Sequence, residues 1–150
     1  MQDIFTSIER TVRLFVYRHI VDTTLTPDAQ TIARDTGIAP PEVAAALRRL
    51  ADAHALVLAP ASLSIWMAHP FSSVPTPYPV RMQGRTYWAN CAWDALGVAS
   101  MLGADADTRT RCADCGSEMR ISVRAGRVEG GGVVHFVVPP RRFWENVAYT

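Results

Sequence analysis

Apolar residues near the beginning of the chain recur at steps of three and four, which is the periodicity of one face of a helix. This face comprises Ile4, Ile8, Val12, Phe15, Val16 and Ile20. The spacing predicts an amphipathic helix over residues 3–22, and the polar run at residues 23–26 ends it.

Two shorter helices are predicted next. The first covers residues 27–33, with Thr26 as its N-cap and an end near Gly37. The second covers residues 41–53, because Pro40 and Pro41 are favourable at a helix start. Helix, short helix, glycine turn and helix is the order of a helix-turn-helix unit.

Apolar stretches at residues 56–59 and 63–67 flank Pro60 and predict a small hairpin. Three helices and a hairpin form a winged-helix-like domain. In a DNA-binding protein the 41–53 helix would enter the major groove, but its sequence PPEVAAALRRLADA offers few side chains that read base edges. A packing role is therefore favoured over DNA binding.

The segment HPFSSVPTPYPV contains four prolines. Proline lacks an amide hydrogen and does not fit the interior of a helix or of a central strand. We therefore predict a winged-helix-like domain over residues 1–67, a proline-rich connector over 68–80 and a core over 81–150.

The fold predicted for the whole chain is α+β, with a small mixed-sheet core that holds one principal helix. That helix is predicted over residues 91–102, and a final helix over 141–147 after two prolines. Strands are predicted at residues 80–82, 85–89, 108–111, 118–124, 127–129 and 133–138.

Composition narrows the class of protein. The net charge of +1 gives no strong attraction to nucleic acid or to acidic membranes. The chain has no apolar run of membrane-spanning length and no secretory signal pattern at its start, so we expect a cytoplasmic protein without a membrane partner. Three cysteines, two of them in a C-x-x-C, indicate reduced thiols rather than a disulfide framework.

Cys91 and Asp94 stand three residues apart in YWANCAWDALG, where the principal helix should begin. If Asn90 caps this helix, Cys91 occupies its first position, where free amides and the helix dipole favour a thiolate. Asp94 then lies one turn later, where it can exchange a proton with Cys91. Alternatively, Cys91 is a small buried side chain and Asp94 only complements the dipole.

Cys112 and Cys115 lie in CADCG, which on its own resembles half of a zinc site. Zinc requires four ligands, so His135 and either His69 or Cys91 would have to complete it. The alternative is a glycine-containing turn that carries two thiols.

Five segments, taken in order, resemble the organomercurial lyase (alkylmercury lyase) family. They are HPFSSVPTPYPV, YWANCAWDALG, CADCG, VVHFVVP and RRFWENV. The resemblance covers nearly the whole chain, since that family also carries an N-terminal winged-helix-like domain before a compact mixed core. It is most specific around Cys91 and Asp94 and in the HPFS and VHF segments.

The resemblance implies protonolysis of a carbon–mercury bond, with a hydrocarbon and Hg(II) as products. It implies that Cys91 binds the mercury of the substrate and that Asp94 transfers the proton. Soft thiolates suit a soft metal, and a nearby acid can protonate the carbon. No cofactor is implied, because Hg(II) belongs to the substrate and product. The implied partners are an organomercurial, low-molecular-weight thiols and a mercuric reductase that receives Hg(II).

The family has a second mercury-binding cysteine shortly after the segment that RRFWENV resembles, whereas no cysteine follows Cys115 here. We therefore expect either a truncated form or a homologue that works differently. Cys112 and Cys115 are candidates to substitute and hence to bind metal. The alternative function is a non-catalytic mercury-binding or metal-sensing homologue that binds DNA, and an inactive protein is a third possibility.

Overall fold

Three helices open the fold in the computed structural model, which describes residues 5–147. They are α1 (Ser7–Thr23), α2 (Ala29–Thr36) and α3 (Pro40–Asp52). A capping box begins α1: the Thr6 side chain accepts a hydrogen bond from the Glu9 amide at 3.2 Å, and the Glu9 carboxylate accepts one from the Thr6 amide at 2.8 Å. The predicted beginning of this helix, at residues 3 and 4, lies outside the described residues.

Asp28 caps α2, so the prediction of Thr26 as the cap was wrong. The Asp28 carboxylate accepts a hydrogen bond from the Thr31 amide at 2.7 Å, and a carboxylate complements the helix dipole better than a hydroxyl does. Gly37 ends the helix in a left-handed conformation with φ of 71°, as the glycine predicted.

A first sheet follows the helices and consists of β1 (Val57–Leu58), β2 (Ile65–Ala68) and β3 (Phe71–Ser72). The strands pair in the order β1-β2-β3, all antiparallel. The predicted hairpin is present as β1 and β2. Part of the proline-rich segment also forms an edge strand, β3, since Phe71 and Ser72 are free to pair between the prolines.

The second sheet holds the principal helix against one of its faces. Its strands are β4 (Pro79–Met82), β5 (Arg85–Trp88), β6 (Ala106–Arg111), β7 (Glu118–Arg124) and β8 (Arg127–Glu129). Their order is β5-β4-β6-β7-β8, and α4 (Ala92–Leu102) connects β5 to β6. At the β4–β5 turn, Gln83 and Gly84 have φ of 49° and 75°, which indicates a type I′ hairpin.

The predicted mixed sheet was wrong, because every strand pair within residues 5–147 is antiparallel. Three short hairpins join β4 to β5, β6 to β7 and β7 to β8, and a short hairpin allows only antiparallel pairing. The longer α4 connection places β6 on the other side of β4 from β5, so β5 and β6 run in the same direction without being neighbours.

The segment over residues 133–138 is not a strand, contrary to the prediction. Gly130 and Gly132 have φ of 127° and 136°, values that lead the chain away from β8. A Cβ at Gly130 would lie 2.6 Å from the Arg120 carbonyl oxygen, so this bend also passes close to the β7 backbone. Beyond it, Pro140–Glu145 forms a 3₁₀ helix in place of the predicted α-helix.

One hydrophobic cluster connects the helices to both sheets. Its largest fully buried side chains include Val12, Val16, Ile32, Val43, Leu47, Leu50, Phe71, Val80 and Val98. Because Phe71 and Val98 belong to the same cluster as Val16, the position of α4 depends on packing against the N-terminal helices. None of the helices in the described part of the chain is both long and apolar enough to span a membrane.

Candidate active site

Cys91 lies between β5 and α4, and it is the N-cap of α4. Its Sγ accepts a hydrogen bond from the Asp94 amide at 3.4 Å. The prediction that Asn90 caps the helix and Cys91 occupies the first position was therefore wrong by one residue. The reason is that the Asn90 side chain is engaged elsewhere, with Asp94 and His69, so the cysteine sulfur takes the free amide.

Burial raises the pKa of the half-buried Cys91 thiol above its ordinary value. The Asp94 amide lowers this pKa, and the negative charge of the Asp94 carboxylate raises it again. Burial therefore outweighs the amides of the helix start in setting the pKa of Cys91. The expectation that the helix start would favour a thiolate at Cys91 was wrong. Loss of water and the nearby carboxylate together favour the protonated thiol.

The Asp94 carboxylate belongs to a small polar cluster with Asn90 and His69. Asn90 Nδ2 donates a hydrogen bond to Asp94 Oδ2 at 3.2 Å and lies 3.3 Å from His69 Nδ1. His69 Nδ1 is 3.7 Å from the same carboxylate oxygen. The Asp94 side chain is 20% exposed, so the carboxylate is shielded from bulk water and still accessible.

The backbone around His69 is held by contacts from three directions. Tyr17 of α1 donates its hydroxyl hydrogen to the His69 carbonyl oxygen at 2.8 Å. The backbone amide of Asn90 donates to the Pro70 carbonyl oxygen at 3.4 Å. Pro70 also packs against α4, where a Cβ at Gly97 would lie 3.2 Å from its Cβ. These contacts fix the polar cluster relative to the start of α4.

Two atoms of the cluster, His69 Nε2 and Asn90 Oδ1, are buried without a hydrogen-bond partner among residues 5–147. Unpaired buried polar atoms are uncommon in folded proteins and concentrate where a ligand or a reaction uses them. The cluster thus has unused hydrogen-bonding capacity beside Asp94.

Aromatic side chains from the C-terminal segment cover this region. The Trp144 indole stacks on the His54 ring at a centroid distance of 4.1 Å and meets the His69 ring edge-on at 5.5 Å. Trp93, which follows Cys91 on α4, is 58% exposed and lies 6.2 Å from the Phe136 ring. These rings provide apolar surface beside His69 and at the first turn of α4.

Cys112 and Cys115 lie in the turn between β6 and β7. The turn is closed by hydrogen bonds from the Cys112 amide to the Ser117 carbonyl oxygen and from the Gly116 amide to the Cys112 carbonyl oxygen, both 2.9 Å. Cys112 is half-buried and Cys115 is exposed. Hydrogen bonds from Ser117, with a contribution from Cys112, lower the pKa of the Cys115 thiol to about 7.

No three His, Cys, Asp or Glu side chains within the described residues are grouped so that they could hold a metal ion. The four-ligand zinc site considered from the sequence, with Cys112, Cys115 and His135, is therefore not formed there. His135 is exposed in the segment that is not a strand, whereas Cys91 and Asp94 lie together as their spacing predicted.

Sequence reasoning did not identify His69, Asn90 and Tyr17 as neighbours of Asp94. His69 begins the HPFS segment, which resembles the family, and this resemblance was the sequence feature that could have indicated a place for His69 in the site. Asn90 was interpreted only as a helix cap. The contact from Tyr17 spans 52 residues along the chain and leaves no trace in local sequence patterns.

A family model described as alkylmercury lyase, MerB, matches residues 71–150. A crystal structure of the mercury-bound form of MerB2 is similar, with a TM-score of 0.68 and 26% sequence identity. The similarity covers 83% of this chain and 60% of that one, so this chain spans about three fifths of the length of MerB2. No curated protein matches the chain.

Proposed function

Because this chain belongs to the alkylmercury lyase family, we propose that it cleaves the carbon–mercury bond of an organomercurial, with Cys91 as the mercury ligand and Asp94 as the proton carrier. The observation that carries the proposal is the pairing of these two side chains at the start of α4. The Cys91 sulfur accepts the Asp94 amide hydrogen at 3.4 Å, and both residues lie in the segment that matches the family.

In the first step the Cys91 thiol attacks the mercury atom of R–Hg–X. The S–H bond breaks, the S–Hg bond forms, X⁻ leaves, and the proton passes to the Asp94 carboxylate. A protonated thiol beside an ionised carboxylate suits this step, since the raised pKa of Cys91 keeps the proton in the site until mercury displaces it. A soft thiolate is the appropriate ligand for soft mercury.

In the second step protonated Asp94 gives the same proton to the carbon. The Hg–C bond breaks, its electron pair forms the new C–H bond, and the hydrocarbon R–H leaves. Asn90 donates to Asp94 Oδ2, so it helps to hold the carboxylate in place and to stabilise its charge once the proton has gone. His69 Nδ1 lies 3.7 Å from the same oxygen.

Hg(II) remains bound to Cys91 and needs a second thiolate, because soft two-coordinate ions favour a pair of sulfur ligands. We propose that a low-molecular-weight thiol supplies it and that a mercuric reductase is the final acceptor. We also propose a winged-helix-like domain over residues 1–67 that serves packing, since α1 and α3 bury their apolar faces in the shared core.

The test is to incubate the protein with phenylmercury and excess glutathione and to measure benzene by gas chromatography. We expect benzene from the wild type and none from Cys91→Ser, which lacks the sulfur placed beside Asp94. Asp94→Asn should still bind phenylmercury, while the rate of benzene release falls on the order of 10²- to 10⁴-fold because the amide carries no acidic proton.

Ser100→Ala, on the exposed side of α4, is the matched control and should release benzene at the wild-type rate. Full turnover by Asp94→Asn would exclude the role given to Asp94. If the wild type binds phenylmercury and Hg(II) tightly but releases no benzene, the protein is a mercury-binding homologue without lyase activity.

A further inference from the structure

We propose that Cys112 and Cys115 form a second metal site, which binds a thiophilic two-coordinate ion such as Hg(II) through both sulfurs. This site at the β6–β7 turn is separate from the start of α4. It does not depend on the lyase activity for binding, although its use as the receiver of Hg(II) rests on the function proposed above.

The turn brings the two thiols together. Its two backbone hydrogen bonds make residues 112–116 a single closed turn, and Gly116 takes a φ of 70° to complete it. Residues three positions apart in such a turn lie on the same side. The closed turn holds the backbone of both cysteines in place, so binding one ion through the two thiols needs side-chain rotation and need not order a flexible loop.

The surroundings of the turn favour sulfur in its anionic form. Ser117 Oγ lies 3.2 Å from Cys115 Sγ, where the hydroxyl can donate to a thiolate. Arg111 donates a hydrogen bond to the Gly116 carbonyl oxygen at 3.1 Å, which brings a positive charge to the base of the turn. Cys115 is exposed, so an ion bound to a small thiol can reach it by ligand exchange.

The number of ligands selects the ion. Zinc in proteins requires four ligands, whereas the described residues place no third His, Cys, Asp or Glu with these two cysteines. Two thiolates alone match soft d¹⁰ ions that accept linear coordination, of which Hg(II) is the one relevant to this family. The geometry therefore points to mercury rather than to zinc.

The sheet register places this turn at the same end of the molecule as Cys91. Trp88 at the end of β5 pairs with Pro79, and Thr108 of β6 pairs with Val80 on the other side of β4. Both strands therefore leave the sheet at the end where β4 begins. Their separation there is about 10 Å, twice the spacing of neighbouring strands. The strands that lead to Cys91 and to Cys112 therefore run toward the same end of the sheet.

The experiment uses Cys91→Ser, which leaves Cys112 and Cys115 as the two remaining thiols. The protein is loaded with Hg(II), challenged with glutathione, and separated by gel filtration, and the retained mercury and free thiols are then counted. We expect retention of about one Hg(II) per chain with both thiols blocked. Adding Cys115→Ser should weaken retention on the order of 10²-fold, because a chelate becomes a single ligand.

The matched control adds Ala113→Ser to Cys91→Ser, which changes the turn without removing a thiol and should retain Hg(II) fully. Equal retention with and without Cys115 would overturn the site, as would two free thiols in the loaded protein. Benzene release by the wild type is measured separately. Its absence beside normal retention by Cys91→Ser would contradict the lyase function and leave this site standing.

Discussion

The thiols of Cys91 and Cys115 lie in different environments, which shift their pKa values in opposite directions. Cys91 is half-buried beside a carboxylate, which keeps its proton in place. Cys115 is exposed beside a hydroxyl that stabilises the anion. The first environment suits a thiol that must keep its proton available for the reaction, and the second suits a thiol that must bind metal quickly.

The rate of Cys115 alkylation by iodoacetamide should therefore rise with pH and reach half its maximum near pH 7, because its pKa is about 7. Cys91 should react only at higher pH, since burial raises its pKa. Mass spectrometry of peptides after timed alkylation separates the two sites. Ser117→Ala should move the Cys115 midpoint upward, whereas Ser62→Ala in a distant turn should not. An unchanged midpoint in Ser117→Ala would show that the hydroxyl does not stabilise the thiolate.

Asn90 positions Asp94, so Asn90→Ala should affect turnover more than binding. We expect phenylmercury binding to remain near the wild-type value and benzene release to slow on the order of tenfold, since the carboxylate loses a donor that orients it. Asn146→Ala removes the same side chain from an exposed position and is the control. Equal losses in kcat for both variants would refute a positioning role for Asn90.

On the scale of elements, α4 packs closely against the turn between β2 and β3. Gly97 faces Pro70, and the helix approaches this turn closely because glycine has no side chain. The same turn contains His69, so the spacing between helix and turn also sets the spacing between His69 and Asp94.

Gly97→Ala should therefore lower both stability and turnover. Alanine gains about 1 kcal/mol of helix propensity, but its Cβ would meet the buried Pro70 at 3.2 Å, and overpacking costs about 1–3 kcal/mol. We expect a net loss of about 1 kcal/mol in the free energy of unfolding by urea titration. Ser100→Ala on the same helix should be neutral or slightly stabilising. A more stable Gly97→Ala with full turnover would show that the turn can move away freely.

The elements that could be predicted from sequence are those with local signals. Gly37 ends α2, and Gln83-Gly84 forms the β4–β5 hairpin, because left-handed backbone is required at both places. The strand predicted at residues 133–138 is absent because Gly130 and Gly132 before it take positive φ and bend the chain away from the sheet. The sequence shows where these glycines stand but does not fix the direction of the bend.

The candidate site shows the same division. Cys91 and Asp94 could be paired from sequence because three residues of helix bring them together. The pKa of the Cys91 thiol could not be predicted from the sequence, since it depends on burial in the folded structure. His69 joins the pair only through the β2–β3 turn, which is positioned by tertiary packing.

On the scale of the whole molecule, the N-terminal helices support the site directly. Tyr17 of α1 binds the His69 carbonyl oxygen at 2.8 Å, and Tyr87 of β5 binds the carbonyl oxygen of Val21, also in α1, at 2.8 Å. The helical half and the sheet half are thus joined by hydrogen bonds as well as by the common core. The Tyr17 bond reaches His69 in the candidate site, whereas the Tyr87 bond lies outside the site.

Tyr17→Phe should lower the free energy of unfolding by about 1 kcal/mol through the lost hydrogen bond, and it should also slow benzene release. Tyr87→Phe removes a bond of the same length between the same halves and should cost similar stability without slowing release. Urea titration and product measurement on both variants test this difference. Equal rates for the two variants would show that the α1 contact supports only the fold.

Because the Cys91 sulfur is both the helix cap and the proposed mercury ligand, occupancy by metal and the local opening of α4 must be thermodynamically coupled. A mercury ion bound to Cys91 Sγ would use the lone pairs that now accept the Asp94 amide hydrogen. Hydrogen–deuterium exchange of the amides in the first turn of α4 should therefore become faster when metal binds, which reports binding without a chemical label. Serine is itself a favoured N-cap, so the Cys91→Ser variant should keep the start of α4 intact. Any loss of function in this variant then reports the loss of the sulfur rather than the loss of the helix cap.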